Sequence, residues 1–193
     1  KERKFDDQIV PINVTQTYLD DNNQRCTKKY TVSKDEGPRE GTNIKALNKL
    51  RAVFSNNGSV TAGNSSQMSD GAAFTLIMSE KMVNELNLKP IARMVNYAVA
   101  GVEPRIMGIG PVKAIPKVLN QSGLNLNDIS LIELNEAFAS QSVAVINELD
   151  LDRDIINVNG GAISLGHPLG CTGAKLTVQI IDEMRKRNLN NKY

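Results

Sequence analysis

The sequence predicts a layered α/β fold, and two observations carry that prediction. From about residue 60 onward, short apolar runs of strand length alternate with longer stretches of helical spacing. Three polar, glycine-adjacent turns, at 63–71, 135–138 and 166–168, each stand at the end of one of those apolar runs. Strand ends are where α/β folds gather ligands and reactive groups.

The first 60 residues are less regular. Residues 8–14 (QIVPINV) and 28–32 (KKYTV) read as short strands around the polar turn LDDNNQ, the first an edge strand because of its proline. Residues 33–43 form a polar Gly/Pro loop. Ile44, Leu47, Leu50 and Val53/Phe54 then recur with a helical period, up to the turn SNNGS. A boundary near Gly58–Gly63 divides the chain into residues 1–60 and 61–193.

Beyond it, AAFTLIMS (72–79) reads as a buried strand and SEKMVNEL as a helix capped by Ser79. IARMVNYAVAGV (91–102) reads as a long strand. MGIGPVKAIPKVLNQSG (107–123) is a helix entered through a glycine turn, with Gly123 as its stop. SLIEL is a strand, NEAFASQSVAVINEL a helix and INVNGG a strand. AKLTVQIIDEMRKR is the last helix, with Pro168 suited to its first turn.

Composition narrows the function. The 193 residues are 40% hydrophobic and 23% charged, which suits an ordinary globular protein with a substantial core. Aromatics make up only 4%, against a stacking platform for single-stranded nucleic acid. With 23 Lys+Arg and 21 Asp+Glu, no face is dedicated to nucleic acid. Arg185, Lys186 and Arg187 close the last helix, where cations favour the C-terminal dipole. Cys26 and Cys171 make no disulfide framework, and a reducing, cytoplasmic setting fits them. No apolar run reaches the roughly 20 residues that span a bilayer, and the charged opening KERKFDDQ is no secretory signal. KERK reads as the end of a surface helix. With NLNNKY at the other end, it suggests a fragment of a longer chain.

Chemistry concentrates in NVNGGAISLGHPLGCTGAK (157–175), which holds the sole histidine, His167, among five glycines. Glycine permits a sharp bend and close approach, so this turn can aim an imidazole at a reaction centre. An Asn (Asn135), a His and a serine cluster (Ser65, Ser66) brought together would make a pocket for a carbonyl or its oxyanion. Each has a plainer reading. Asn135 suits a helix N-cap, Ser65 and Ser66 suit a helix start, and Cys171 suits a small buried position.

Taken together, GSVTAGNSSQMSDGAA (58–73), MGIGPVKAIPKVL (107–119), LIELNEAFASQ (131–141) and NVNGGAISLGHPLGCTGAK (157–175) resemble the thiolase family, in its 3-ketoacyl-CoA thiolase (acetyl-CoA acyltransferase) branch. DEGPREGTNIKAL (35–47) matches a weaker family segment. The resemblance runs over nearly the whole chain in family order. It implies the αβα-layered thiolase fold, here its C-terminal half preceded by the tail of the loop region that binds CoA.

The resemblance also assigns roles. His167 is similar to the histidine that activates the nucleophilic cysteine and donates to the thioester oxygen. Asn135 resembles the asparagine that holds a catalytic water, and Glu136 supports the site. Ala137 and Phe138 match residues lining the pantetheine tunnel, Ser66 a serine touching the pantetheine arm, and Met107 an acyl-pocket residue. Arg39 is implied to approach CoA phosphates. Neither Cys26 nor Cys171 matches the family's two catalytic cysteines, so this chain is expected to hold the histidine and asparagine without either thiol.

The implied reaction is thiolysis of 3-ketoacyl-CoA to acetyl-CoA and a shortened acyl-CoA, in fatty-acid breakdown. It uses no cofactor or metal, with coenzyme A as substrate. Acyl-CoA and CoA are the partners, and the full protein would be a homodimer or homotetramer. The alternatives are a biosynthetic acetyl-CoA acetyltransferase and a non-catalytic, CoA-binding thiolase-like protein.

Overall fold

The computed structural model describes residues 4–189 and 192–193, so residues 1–3 of the KERK opening lie outside the described residues. The chain forms two compact units, Lys1–Glu40 and Gly41–Tyr193. The division falls after Glu40, whereas the change in composition lies at 58–63.

The first unit is a β-hairpin. Strand β1 (Ile12–Leu19) pairs antiparallel with β2 (Arg25–Val32), in register from Ile12↔Val32 to Leu19↔Arg25. Both strands differ from the expected 8–14 and 28–32. β1 starts after Pro11, which has no N–H to donate to a ladder. Pairing then runs down to the turn because Asp20 closes it. Its Oδ1 accepts from the N–H groups of Asn22 at 2.9 Å and Gln24 at 2.8 Å. Asn23 takes the left-handed conformation (φ 58°) that asparagine tolerates.

In the second unit, α1 (Ile44–Leu47) is much shorter than the helix expected through Phe54. The chain instead turns back on itself. Val53 N–H donates to Val60 O at 2.9 Å, and Ala52 bridges Thr61. Backbone pairing thus overrides the apolar period of residues 44–54.

Two expected strands are absent. Residues 72–79 and 91–102 carry no ladder partner among the described residues, and most of their large side chains face solvent, Met78 and Val102 being partly buried. Phe74 is 90% exposed and Leu76 86%, the reverse of the buried strand read there. An apolar run becomes a strand only when a neighbour takes its backbone hydrogen bonds. Between them, α2 (Glu80–Glu85) starts as expected, with Ser79 Oγ accepting from Met82 N–H at 3.2 Å.

A 3-10 turn over Pro104–Ile109 leads into α3 (Gly110–Ser122), which ends at Gly123 in the left-handed conformation (φ 66°). The later helices are α4 (Ala139–Glu148), the short α5 (Ala162–Leu165) and α6 (Thr172–Lys186). The SLIEL and INVNGG strands shrink to one parallel bridge, Ile132↔Ile156. The basic end of α6 is a solvated helix end, with Lys186 paired to Asp182 at 2.9 Å.

The core cluster consists of Leu134, Val145 and Leu151. Val112 and Ile115 of α3, Ile146 of α4, and Ile132 and Ile156 pack around it. Each such side chain contributes roughly 1.5–3 kcal/mol when fully buried. The cluster pins the 131–134 segment, so the residues that follow it are presented from a rigid base.

Candidate active site

Backbone pairing draws the three glycine-adjacent turns together. Ser66 N–H donates to Ala137 O at 3.0 Å, and Ala139 N–H donates to Asn64 O at 2.9 Å. Ser65 bridges Phe138 in antiparallel sense. The serine cluster is therefore a strand-like partner of the NEAF turn, not a helix start. Gln67 continues the link. Its Nε2 donates to Ile163 O at 3.3 Å, and its carbonyl accepts from His167 N–H at 3.4 Å.

At the meeting point, Asn135 Nδ2 lies 3.3 Å from His167 Nε2. The other ring nitrogen, Nδ1, lies 2.7 Å from Thr172 Oγ1. Asn135 is no helix cap, because α4 begins at Ala139 with Phe138 as its N-cap. Asn135 Oδ1 is buried and has no hydrogen-bond partner among the described residues. Such an atom is costly unless a ligand or an ordered water satisfies it.

The approach to His167 depends on glycine. Gly166 has φ 91° and ψ 157°, a region essentially closed to other residues. A Cβ there would run into Ser69 Oγ. Pro168 is not in the first turn of α6. It sits one turn ahead, and its carbonyl accepts from Cys171 N–H at 2.8 Å and Thr172 N–H at 2.9 Å. Cys171 is the N-cap of α6, partly buried and free, in keeping with a small structural position.

Glu136 fastens the base of the site. Its Oε2 accepts from Ile163 N–H at 3.2 Å, at the start of α5, and its Oε1 accepts from Asn157 Nδ2 at 3.3 Å. Gly161 leaves the room, since a Cβ there would overlap the carboxylate. Asn157 does more. Its Oδ1 accepts from Leu134 N–H at 2.8 Å and its Nδ2 donates to Leu134 O at 2.8 Å. One side-chain amide thereby replaces a rung of the missing ladder. It also holds both neighbours of Asn135.

Behind the site lies a polar cluster. Burial pushes the Glu133 carboxyl up to about 7. Lys175 opposes the rise, while Glu183 and Glu136 add to it. Glu183 in turn accepts from Asn159 Nδ2 at 2.6 Å.

The remaining sequence candidates fall around this centre or away from it. Ala137 and Phe138 lie on the paired NEAF segment. The Phe138 ring meets Phe54 edge-on, with centroids 6.2 Å apart. Met107 lies in the 3-10 turn packed on α4, with its side chain 76% exposed. Arg39 belongs to the first unit. A cavity of about 320 Å³, lined by Ile44, Leu47, Leu50, Thr61 and Asn64 among others, opens beside the 64–66 segment. Sequence reasoning missed Thr172, Asn157 and Gln67. All three lie within the family motifs, but their roles are long-range contacts that no local spacing encodes.

The chain matches two family models, "Thiolase, N-terminal domain" over residues 1–81 and "Thiolase, C-terminal domain" over residues 88–192. A 3-ketoacyl-CoA thiolase of Bacillus subtilis is 53% identical over 97% of this chain and 48% of its own length. The crystal structure of the Bacillus anthracis acetyl-CoA acetyltransferase superposes with a TM-score of 0.85 at 48% identity, covering 96% of this chain and 45% of that one. Human mitochondrial 3-ketoacyl-CoA thiolase in complex with CoA gives a TM-score of 0.74 at 45% identity, over 84% and 41%. The chain thus spans about half the length of the relatives it matches, or slightly less. With its GNSSQ, NEAF and GHP turns joined at one place and its fold that of solved thiolases, the chain belongs to the thiolase family.

Proposed function

We propose that the protein is an acyltransferase that cleaves 3-ketoacyl-CoA with CoA, yielding acetyl-CoA and an acyl-CoA shortened by two carbons. The observation that carries this is the pair formed by Asn135 and His167. An imidazole Nε2 faces an amide whose second polar atom, Asn135 Oδ1, is buried with no partner among the described residues. An ordered water on Oδ1 would complete a hydrogen-bonding site at the imidazole, suited to charge developing on a thioester or ketone oxygen.

In this reading Nε2 takes the proton of a cysteine thiol supplied by the part of the thiolase fold that this chain does not span. The thiolate attacks the 3-keto carbon. The imidazolium and the Asn135-held water stabilise the oxygen that becomes negative. Collapse breaks the carbon–carbon bond, and the departing acetyl-CoA carbanion takes its proton from the family's second catalytic cysteine, also in the part of the fold that this chain does not span. The thiol of a second CoA gives its proton to that thiolate and takes the acyl group, and the released nucleophilic thiolate recovers the proton held on His167. Splitting the exchange through a covalent intermediate replaces one hard step by two easier ones. CoA is substrate, and no resident cofactor is invoked.

Glu136 acts as a support, through Ile163 and Asn157. Ser66, Ala137 and Phe138 are assigned to the pantetheine arm, Met107 to the acyl pocket and Arg39 to the CoA phosphates. The working form is a homodimer or homotetramer.

The test is CoA-dependent cleavage of acetoacetyl-CoA and of a longer 3-ketoacyl-CoA by the product of the complete reading frame. Cleavage of the longer substrate is expected. Activity on acetoacetyl-CoA alone would move the assignment to the biosynthetic acetyltransferases. Inactivity on both would leave a non-catalytic CoA-binding protein.

A further inference from the structure

We infer that Thr172 is a positioning residue that sets the tautomer of His167, placing the resting proton on Nδ1 and leaving Nε2 bare. This rests on the acyl-transfer reading above, which needs Nε2 to accept a proton. Thr172 is buried, at 6% exposure, in the first turn of α6. Its hydroxyl donates to Pro168 O at 3.0 Å, and a hydroxyl has one proton to give. With that proton committed, Thr172 Oγ1 faces His167 Nδ1 at 2.7 Å as an acceptor, so Nδ1 carries the hydrogen. On the far side of the ring, the Asn135 amide N–H points to Nε2 at 3.3 Å, as a donor to a bare nitrogen. Both neighbours therefore select the same tautomer, and they do so from opposite edges of the ring.

The position follows from the glycine-rich turn. Pro168 O takes the Thr172 hydroxyl in an i−4 bond, a local device that keeps the side chain in one rotamer. His167 lies five residues before Thr172, where the ring folds back over the helix start. Orientation of one imidazole nitrogen by a partner on the other is a general way to fix which nitrogen does chemistry.

The test uses the product of the complete reading frame. Thr172→Val keeps the shape and removes the hydroxyl, whereas Thr172→Ser keeps the hydroxyl. Thr172→Val is expected to lower kcat by about tenfold or more with KM little changed, the size of effect an unmet polar partner produces. Thr172→Ser should recover most of that loss. The discriminating readout is the tautomer. In protein labelled with [15N]histidine, long-range 1H–15N spectra separate a protonated from a bare ring nitrogen. The His167 signals are identified by their loss in His167→Asn. Wild type should show Nδ1–H, and Thr172→Val a mixture or Nε2–H. Nε2–H in the wild-type protein overturns the inference even if Thr172→Val does not fold. So does an unchanged kcat in Thr172→Val when His167→Ala is inactive. Full activity of His167→Ala would instead overturn the acyl-transfer reading itself.

Discussion

Asn157 offers the sharpest test of how the site is held. Its amide satisfies both the N–H and the C=O of Leu134, each at 2.8 Å, and reaches Glu136 at 3.3 Å. Leu134 is only 7% exposed, so water reaches its peptide groups poorly. Asn157→Ala strands both groups, at about 1–3 kcal/mol each. The backbone adds to this. Asn157 has φ 45°, which asparagine tolerates and which costs alanine roughly 1 kcal/mol. The sum is roughly 3 kcal/mol or more, a large share of the 5–15 kcal/mol that typically holds a domain. Asn157→Asp separates hydrogen bonding from shape. It keeps an acceptor for Leu134 N–H but turns a second oxygen toward Leu134 O and the Glu136 carboxylate. The expected outcome is a loss comparable to that of alanine, read by urea unfolding of the product of the complete reading frame. Any variant protein that folds should also turn over more slowly, because both neighbours of Asn135 have lost a tether. Unfolding free energies within about 0.5 kcal/mol of wild type for both variants, the range of ordinary surface changes, would refute the reasoning.

Other outcomes follow from the same geometry. His167→Ala and Asn135→Ala should each cut turnover by about 10²–10³ or more, the usual cost of an oxyanion donor, and wild-type rates in steady-state assays of both would remove them from the site. Gly166→Ala should lower the thermal midpoint and the soluble yield, since φ 91° with ψ 157° costs about 1–3 kcal/mol before the clash with Ser69. Glu133 gives a pH dependence of defined sign. Its folded-state pKa of about 7 exceeds the usual 4.5, so the native state binds more protons between these values and stability falls as pH rises across that window. Glu133→Gln should flatten that slope in denaturation curves taken from pH 5 to 8, and an unaltered slope would locate the titration elsewhere.

Some features were legible because their causes are local. Ser79 caps α2, and Gly123 stops α3 in the left-handed conformation, as their residue types require. The polar turn at 19–24 closes a hairpin because Asp20 folds its carboxylate back on the backbone. The three turns that the structure joins were also visible, since a histidine packed in an ordinary core has no need of glycines clustered on both sides of it. Local propensity failed where pairing decides. The runs at 72–79 and 91–102 have strand composition, yet no neighbouring strand among the described residues pairs with them. The period over 44–54 was overridden when Val53 paired with Val60.

The sequence by itself determined the family, the start of α2 at Ser79, the stop of α3 at Gly123 and the residue types at the centre, because motif order and capping chemistry are written along the chain. Only the tertiary structure decided that Ser66 pairs with Ala137, that Asn157 replaces a ladder rung for Leu134, and that Thr172 and Asn135 grip opposite edges of one imidazole. These contacts join residues up to 71 positions apart, Ser66 and Ala137 being the widest of them. A hydrogen bond depends on distance and direction in space, and the packing of the Leu134–Val145–Leu151 core sets both.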